Sequence, residues 1–132
     1  MSIFSKIIAG DIPAWKIYET EKVLSFLDVS PVCKGHTLVI PKKEIKDIFE
    51  LGSVEYESLM EGIKKTAEIL KEKLSADGMN IFSSSGETAG QTVMHLHFHL
   101  LPRFKGDGLK TNIHENPVKD IDLGELHKQL ID

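Results

Sequence analysis

The chain lacks several features that would mark a secreted, membrane-spanning or nucleic-acid-binding protein. It has one cysteine, Cys33, so no intrachain disulfide framework can form; a chain of this kind suits a reducing compartment, and the cytoplasm is the expected location. No apolar run approaches the roughly 20 residues that span a bilayer, so no membrane partner is expected. The opening "MSIFSKIIAGDIP" meets Asp11 and Pro13 too soon for the apolar segment of a signal peptide. No block of one charge sign occurs: 16 basic and 20 acidic residues are interleaved for a formal net charge of -4, which leaves no basic footprint for a nucleic-acid backbone. A phosphate-bearing partner is therefore expected to be small. Repeats, low-complexity segments and linkers are missing too, and 132 residues suit a single domain over 1–132.

What is present reads as an α+β chain. Ser2 can cap a short helix whose apolar face is Ile3, Phe4, Ile7 and Ile8, with Gly10 as its stop. "WKIYE", "KVLSFLDVS" and "HTLVIP" read as three strands in a meander. From Ser53 the period changes, with Tyr56, Leu59, Met60, Ile63, Ala67, Leu70 and Leu74 at three- and four-residue intervals, which predicts one long helix stopped near Gly78. "MNIFSSS" reads as a fourth strand, "GETAGQ" as a loop, and "TVMHLHFHLLP" as a fifth strand ended by Pro102. "DLGELHKQLI" carries Leu123, Leu126 and Leu130 at helical spacing. Strands grouped around one long helix argue for an antiparallel sheet.

Chemistry concentrates in "HLHFHLL", which holds three of the six histidines within five residues. On a strand, His95, His97 and His99 share one face while Leu96, Phe98 and Leu100 share the other. A merely wetted face would use Lys, Glu or Thr instead. A single metal site fits poorly, because the outer histidines of a straight strand stand about 13 Å apart at roughly 3.3 Å per residue, whereas zinc holds each nitrogen at about 2.0–2.1 Å. The spacing suits a central imidazole that attacks an electrophile while its neighbours assist. Just upstream, Gly86 and Gly90 allow close backbone approach, and exposed N–H groups with the Gln91 amide and Thr92 hydroxyl form a candidate anion cradle. An ordinary turn is the plain alternative for that loop.

"HLHFHLL" resembles the signature of the histidine-triad (HIT) family, and the likeness extends through "AGQTVMHLHFHLLPR". Upstream, "IFSKIIAGDIPAWKIYE", "FLDVSP" and "GHTLVIPKKEI" are similar, in order, to segments of its Hint-like branch, so the resemblance covers about residues 2–104 and leaves 105–132 as a tail. It implies a five-stranded antiparallel sheet with one long helix and a short N-terminal helix, two such sheets joining in a homodimer. It implies a hydrolase that attacks the α-phosphate of purine nucleoside 5′-phosphoramidates or acyl-adenylates (AMP or GMP derivatives) and releases the nucleoside monophosphate. Dinucleoside polyphosphate hydrolysis, or a nucleotide-binding interaction module with incidental activity, are the alternatives. No cofactor is implied.

By that likeness His97 is the nucleophile that forms a covalent nucleotidyl-histidine, and His99 contacts the phosphoryl oxygens. His95 supports the row from the leaving-group end, with His36 beside it. Gln91, Thr92 and Gly90 belong to the phosphate loop, Asp28 to the ribose hydroxyls, and Ile3, Phe4, Ile7, Phe26 and Val29 to the base cleft, where core packing is the competing use of the same side chains. Three positions depart from the family pattern. Ser2 and Ser5 replace a Cys-x-x-Cys pair and Glu44 replaces a histidine, so the structural zinc of some members is not expected. Ser84 stands where relatives carry a nucleotide-binding Asn. Trp15 replaces smaller residues and reads as a plug, a dimer contact or a stacking surface. The tail segment "KGDGLKTNIHENP" reads as a solvated loop, though such tails can shape substrate choice.

Overall fold

The computed structural model describes residues 2–110 and 117–131. Ser2 caps the first helix, α1 (Ile3–Ile8), its Oγ accepting the Ser5 N–H at 3.1 Å, and Gly10 follows in the left-handed conformation (φ 84°) that ends it. Three strands come next: β1 (Lys16–Glu19), β2 (Val23–Leu27) and β3 (Thr37–Pro41). Thr20 tightens the β1–β2 turn by accepting the Lys22 and Val23 N–H groups on its hydroxyl. The long helix α2 (Ser53–Leu74) precedes β4 (Gly78–Phe82), β5 (Phe98–Arg103) and a last helix, α3 (Leu123–Ile131). The strands form one five-stranded sheet in the order β1-β2-β3-β5-β4, every neighbour antiparallel, which is the expected fold class.

Helix α2 seals one face of the sheet. Leu59, Ile63 and Leu70 pack with Val23, Val39, Ile45, Leu96 and Leu100. Helix and sheet approach most closely at Gly62, where a Cβ would lie 2.5 Å from Val23 Cγ1. Thr66 is fully buried beneath the helix; its hydroxyl donates to the Gly62 carbonyl at 2.7 Å and lies 3.0 Å from Ser25 Oγ, so this buried polar pair is satisfied. The opposite face carries a second cluster of Phe4, Ile7, Leu24, Phe26, Leu38 and Ile40. The six-residue α1, the chain just after it and Val93 pack against that face.

Three boundaries differ from expectation by three residues or more, the first at the second strand, which ends at Leu27 rather than Ser30. The fourth strand ends at Phe82 rather than Ser85, and the fifth begins at Phe98 rather than Thr92. Residues 91–97 use their backbone groups elsewhere: the Leu96 N–H donates to the Ile45 carbonyl at 2.7 Å, the His97 carbonyl accepts the Ser83 hydroxyl at 2.7 Å, and the His95 carbonyl bonds the His97 ring. Side-chain alternation survives without the ladder. Leu96 and Leu100 lie in the α2 cluster with Phe98 against it, while His95 and His97 meet Phe4 on the other face. A short 3-10 turn at Glu87–Ala89 shapes the expected loop.

Arg103 anchors the start of the tail by a two-pronged bond to Asp107, with further bonds to Asn80 Oδ1 and the Leu109 carbonyl. Of the segment expected to be a solvated loop, residues 111–116 lie outside the described residues. No helix among the described residues is long and apolar enough to cross a membrane.

Candidate active site

The partly covered face holds a cleft of about 420 Å³. Part of its lining is apolar, from Ile3, Phe4, Ile7 and Phe26, and part is polar, from Asp28, Gly90, Thr92, His97 and His99. Such a mixture of apolar wall and few convergent polar groups is typical of small-molecule sites. Phe4 shows why a base-cleft role and a core role coexist. It is 6% exposed, and its ring meets Phe26, His95 and His97 edge-on at 5.6, 6.0 and 5.0 Å, so one side chain packs the core and walls the cleft. Val29 lines the same cleft from an exposed position. Ile12, Pro13, Ala14, Leu27, Ser30, Leu38 and Val93 also line it and went unnoticed in the sequence. Only the continuation of α1 into an apolar turn hinted at the first three.

Hydrogen bonds to groups of known polarity set each histidine's tautomer. A carbonyl oxygen only accepts, so His97 carries its proton on Nδ1, 2.8 Å from the His95 carbonyl, and its Nε2 keeps a lone pair. His36 accepts the Val32 N–H on Nδ1 at 3.2 Å, which puts its proton on Nε2, 2.9 Å from His99 Nδ1. Neutral His99 therefore accepts on Nδ1 and presents Nε2–H as a donor. Burial, with lesser contributions from the neighbouring His97 and His36 and opposed by Asp28, holds His99 neutral by lowering its pKa from 6.5 to about 4. His36 is shifted down for the same main reason, against the pull of Asp28. Phe82, the cross-strand neighbour of His99, stacks on its ring at 4.8 Å.

The auxiliary histidine lies elsewhere than expected. His36 sits beside His99 rather than His95, because it enters β3 next to Leu38, which pairs with His99 on β5. His95 is fully buried, shifted down by burial, and donates from Nε2 to the Pro41 carbonyl at 2.8 Å. It is not among the residues that line the cleft. Its Nδ1 is buried without a partner. One rung beyond β2, the Asp28 N–H donates to the His36 carbonyl at 2.9 Å, which places the carboxylate near that ring. Oδ1 accepts the Ser30 N–H at 2.8 Å in the turn, and Oδ2 lies 3.5 Å from His36 Nε2. Asp28 thus serves the turn with one oxygen and faces the cleft with the other.

The anion cradle is smaller than expected. Gln91 is 2% exposed; its Oε1 accepts the Gly86 N–H at 2.8 Å and its Nε2 donates to the Lys46 and Val93 carbonyls, so the amide braces the loop from behind. The N–H groups of Ala89, Gly90 and Gln91 donate within the loop, to the carbonyls of Gly86, Glu87 and Gly86. Gly90, at φ 100°, turns the chain so that Thr92 reaches the cleft. Ser84 does not line the cleft; a Cβ on Gly90 would lie 4.0 Å from its hydroxyl.

Two sets of side chains bear on metal binding. Among the described residues, Asp28, His36 and His99 bring ligand atoms within 4.8 Å of one another. Their two ring nitrogens are already joined through a proton at 2.9 Å, closer than two donors around one ion would sit. At the position of the family's structural zinc, Ser2 Oγ lies 3.2 Å from Ser5 Oγ, and Ser5 donates to Glu44 Oε1 at 3.3 Å. Hydroxyls lack the thiolate charge that holds structural zinc, so these residues do not fit that ion. They tie α1 to the loop after β3 by hydrogen bonds instead.

With this geometry in place, the comparisons with known proteins are decisive for the family. Residues 9–106 match the HIT domain. A HIT-like protein of Methanocaldococcus jannaschii is 49% identical over 98% of this chain and 98% of its own, and the adenosine 5′-monophosphoramidase of Candida albicans is 34% identical over 97% and 88%. The crystal structure of a HIT family member from Bacillus subtilis superposes with a TM-score of 0.85 at 42% identity, covering 98% of this chain and 94% of that one. The protein belongs to the HIT family.

Proposed function

We propose that the protein is a hydrolase of purine nucleoside 5′-phosphoramidates or acyl-adenylates. The observation that carries the reading is the tautomer of His97: with Nδ1–H held by the His95 carbonyl, the Nε2 lone pair is the nucleophilic atom at a cleft of nucleotide size. Nε2 attacks the α-phosphorus and the bond to the leaving group breaks. A departing amine takes up a proton from water; an acyl group leaves as its carboxylate. Water then attacks phosphorus and the P–N bond to His97 breaks, which frees the nucleoside monophosphate and restores the imidazole. The His99 Nε2–H donates to a non-bridging phosphoryl oxygen, where charge grows in the transition state. Thr92 lines the same cleft, Asp28 accepts from ribose hydroxyls, and the base enters among Ile3, Phe4, Ile7 and Phe26.

The similarity to the Candida monophosphoramidase supports the choice of leaving group. The reading includes a cytoplasmic homodimer, its sheets meeting along the free edge of β4, where Ile81 and Phe82 are exposed. Single-turnover hydrolysis of adenosine 5′-phosphoramidate, with denatured samples checked for nucleotidylated protein by mass spectrometry, tests it. The covalent adduct should appear in wild type and vanish in His97→Ala. Absence of hydrolysis in wild type would overturn the reading.

A further inference from the structure

One conspicuous side chain has no place in this chemistry. Trp15, the chain's only tryptophan, is 72% exposed although its carbonyl is pinned to the end of β2 by the Leu27 N–H at 2.9 Å. Beside it Val29 is 85% exposed. Both line a depression of about 160 Å³ with Pro13 and Ala14, and three of its four walls, Pro13, Ala14 and Val29, also line the main cleft. The depression beside the indole therefore adjoins the cleft that Phe4 and Phe26 line, and shares walls with it. An exposed indole offers a broad flat apolar face for stacking, and a nucleobase entering the adjoining cleft is a flat partner for it.

We propose that Trp15 is a base-contacting residue that lengthens the base subsite and favours bicyclic over monocyclic bases. The inference rests on the nucleotide reading above. A pyrimidine occupies the apolar part of the cleft among Ile3, Phe4, Ile7 and Phe26, whereas the second ring of a purine reaches over Val29 to the indole, where stacking adds attraction. Stacking is indifferent to hydrogen-bonding pattern, so adenine and guanine both gain.

The single tryptophan supplies its own reporter. AMP and UMP are titrated into the intact protein, with binding followed by calorimetry and by indole emission excited where tyrosine does not absorb. AMP should quench the emission and UMP should leave it nearly unchanged. Trp15→Ala should weaken AMP roughly 5- to 150-fold, the range for loss of one stacked base, and change UMP much less. Trp15→Phe should recover most of the loss, and with adenosine 5′-phosphoramidate the defect should fall on KM rather than kcat. The exposed position makes unfolding of the variant easy to check by thermal melt.

Calorimetric AMP binding with unchanged emission and an unchanged Trp15→Ala affinity would overturn the assignment while leaving the hydrolase reading intact. Equal losses for AMP and UMP would overturn the selectivity. A changed oligomeric state of Trp15→Ala, with AMP affinity preserved, would make Trp15 a subunit contact instead. No AMP binding to wild type by calorimetry would overturn the nucleotide reading and this inference together.

Discussion

On one face of the sheet, Val39, Leu96 and Leu100 pack under the 22-residue α2; on the other, Phe26 and His97 meet Phe4 of a helix of only six residues, and a cleft remains that they line together with His99. The two faces draw on the same strands and on alternating residues of one short segment. What separates them is the cover. A long amphipathic helix buries an apolar cluster against the sheet together with the satisfied Thr66 pair. A short one leaves a cleft, and the polar groups that line it are arranged by backbone partners rather than by solvent. Both faces thus bury an apolar cluster, but the candidate site lies on one of them alone, and substitutions should separate stability from activity.

The largest effect is expected on the open face. His97→Ala should lower turnover of a phosphoramidate by roughly 10⁴- to 10⁶-fold, as loss of a nucleophile does, with a thermal midpoint close to wild type. A variant that melts early and keeps activity would reverse the division. Next comes Ile63→Ala under α2, which should cost about 2–5 kcal/mol in chemical denaturation while activity per folded molecule is retained.

Gly35→Ala links the faces. Gly35 holds φ 85°, and a Cβ there would meet Leu74 Cδ1 at 2.6 Å and Pro102 Cγ at 3.0 Å. We expect a loss of about 1–3 kcal/mol from strain and overpacking, together with a fall in kcat because His36 follows directly; unaltered kcat would show that the His36 ring is placed independently of its own backbone.

The fourth prediction concerns pH. Burial lowers the pKa of His99 from 6.5 to about 4 and shifts His36 and His95 in the same direction. In that window the unfolded chain binds protons that the folded chain refuses, so stability should be full above about 6.5 and decline as pH falls toward about 4. Thermal midpoints across that range test this, and His99→Gln should show a shallower decline than wild type. The smallest effect belongs to Ser5→Ala, which removes the bond to Glu44 and should cost under about 1 kcal/mol in an unfolding titration.

Much of this arrangement is legible in the sequence. Period-2 alternation across "HLHFHLL" assigns Leu96, Phe98 and Leu100 to one face and the histidines to the other, and the three- and four-residue spacing after Ser53 locates α2, because both patterns are local consequences of backbone geometry. Ser2 as a cap and Gly10 as a stop are equally local. The misplaced strand start has a different origin: the backbone of residues 91–97 is bonded to Ile45, Ser83 and the His97 ring, partners distant in sequence or lodged in side chains, and no window of neighbouring residues reveals them.

The same distinction governs the site. The sequence by itself determined which residue types are available: three alternating histidines, an aspartate ahead of a turn, a glycine-bearing loop, and serines where thiolates would hold zinc. Tertiary structure decided how each is used. Pairing of β3 with β5 set His36 beside His99, internal hydrogen bonds turned Gln91 into a brace, and the Pro41 carbonyl engaged His95 away from the cleft. The physical reason is that a tautomer, a lone pair's freedom and a shifted pKa are properties of a side chain's partners, and those partners are brought together only when the sheet closes.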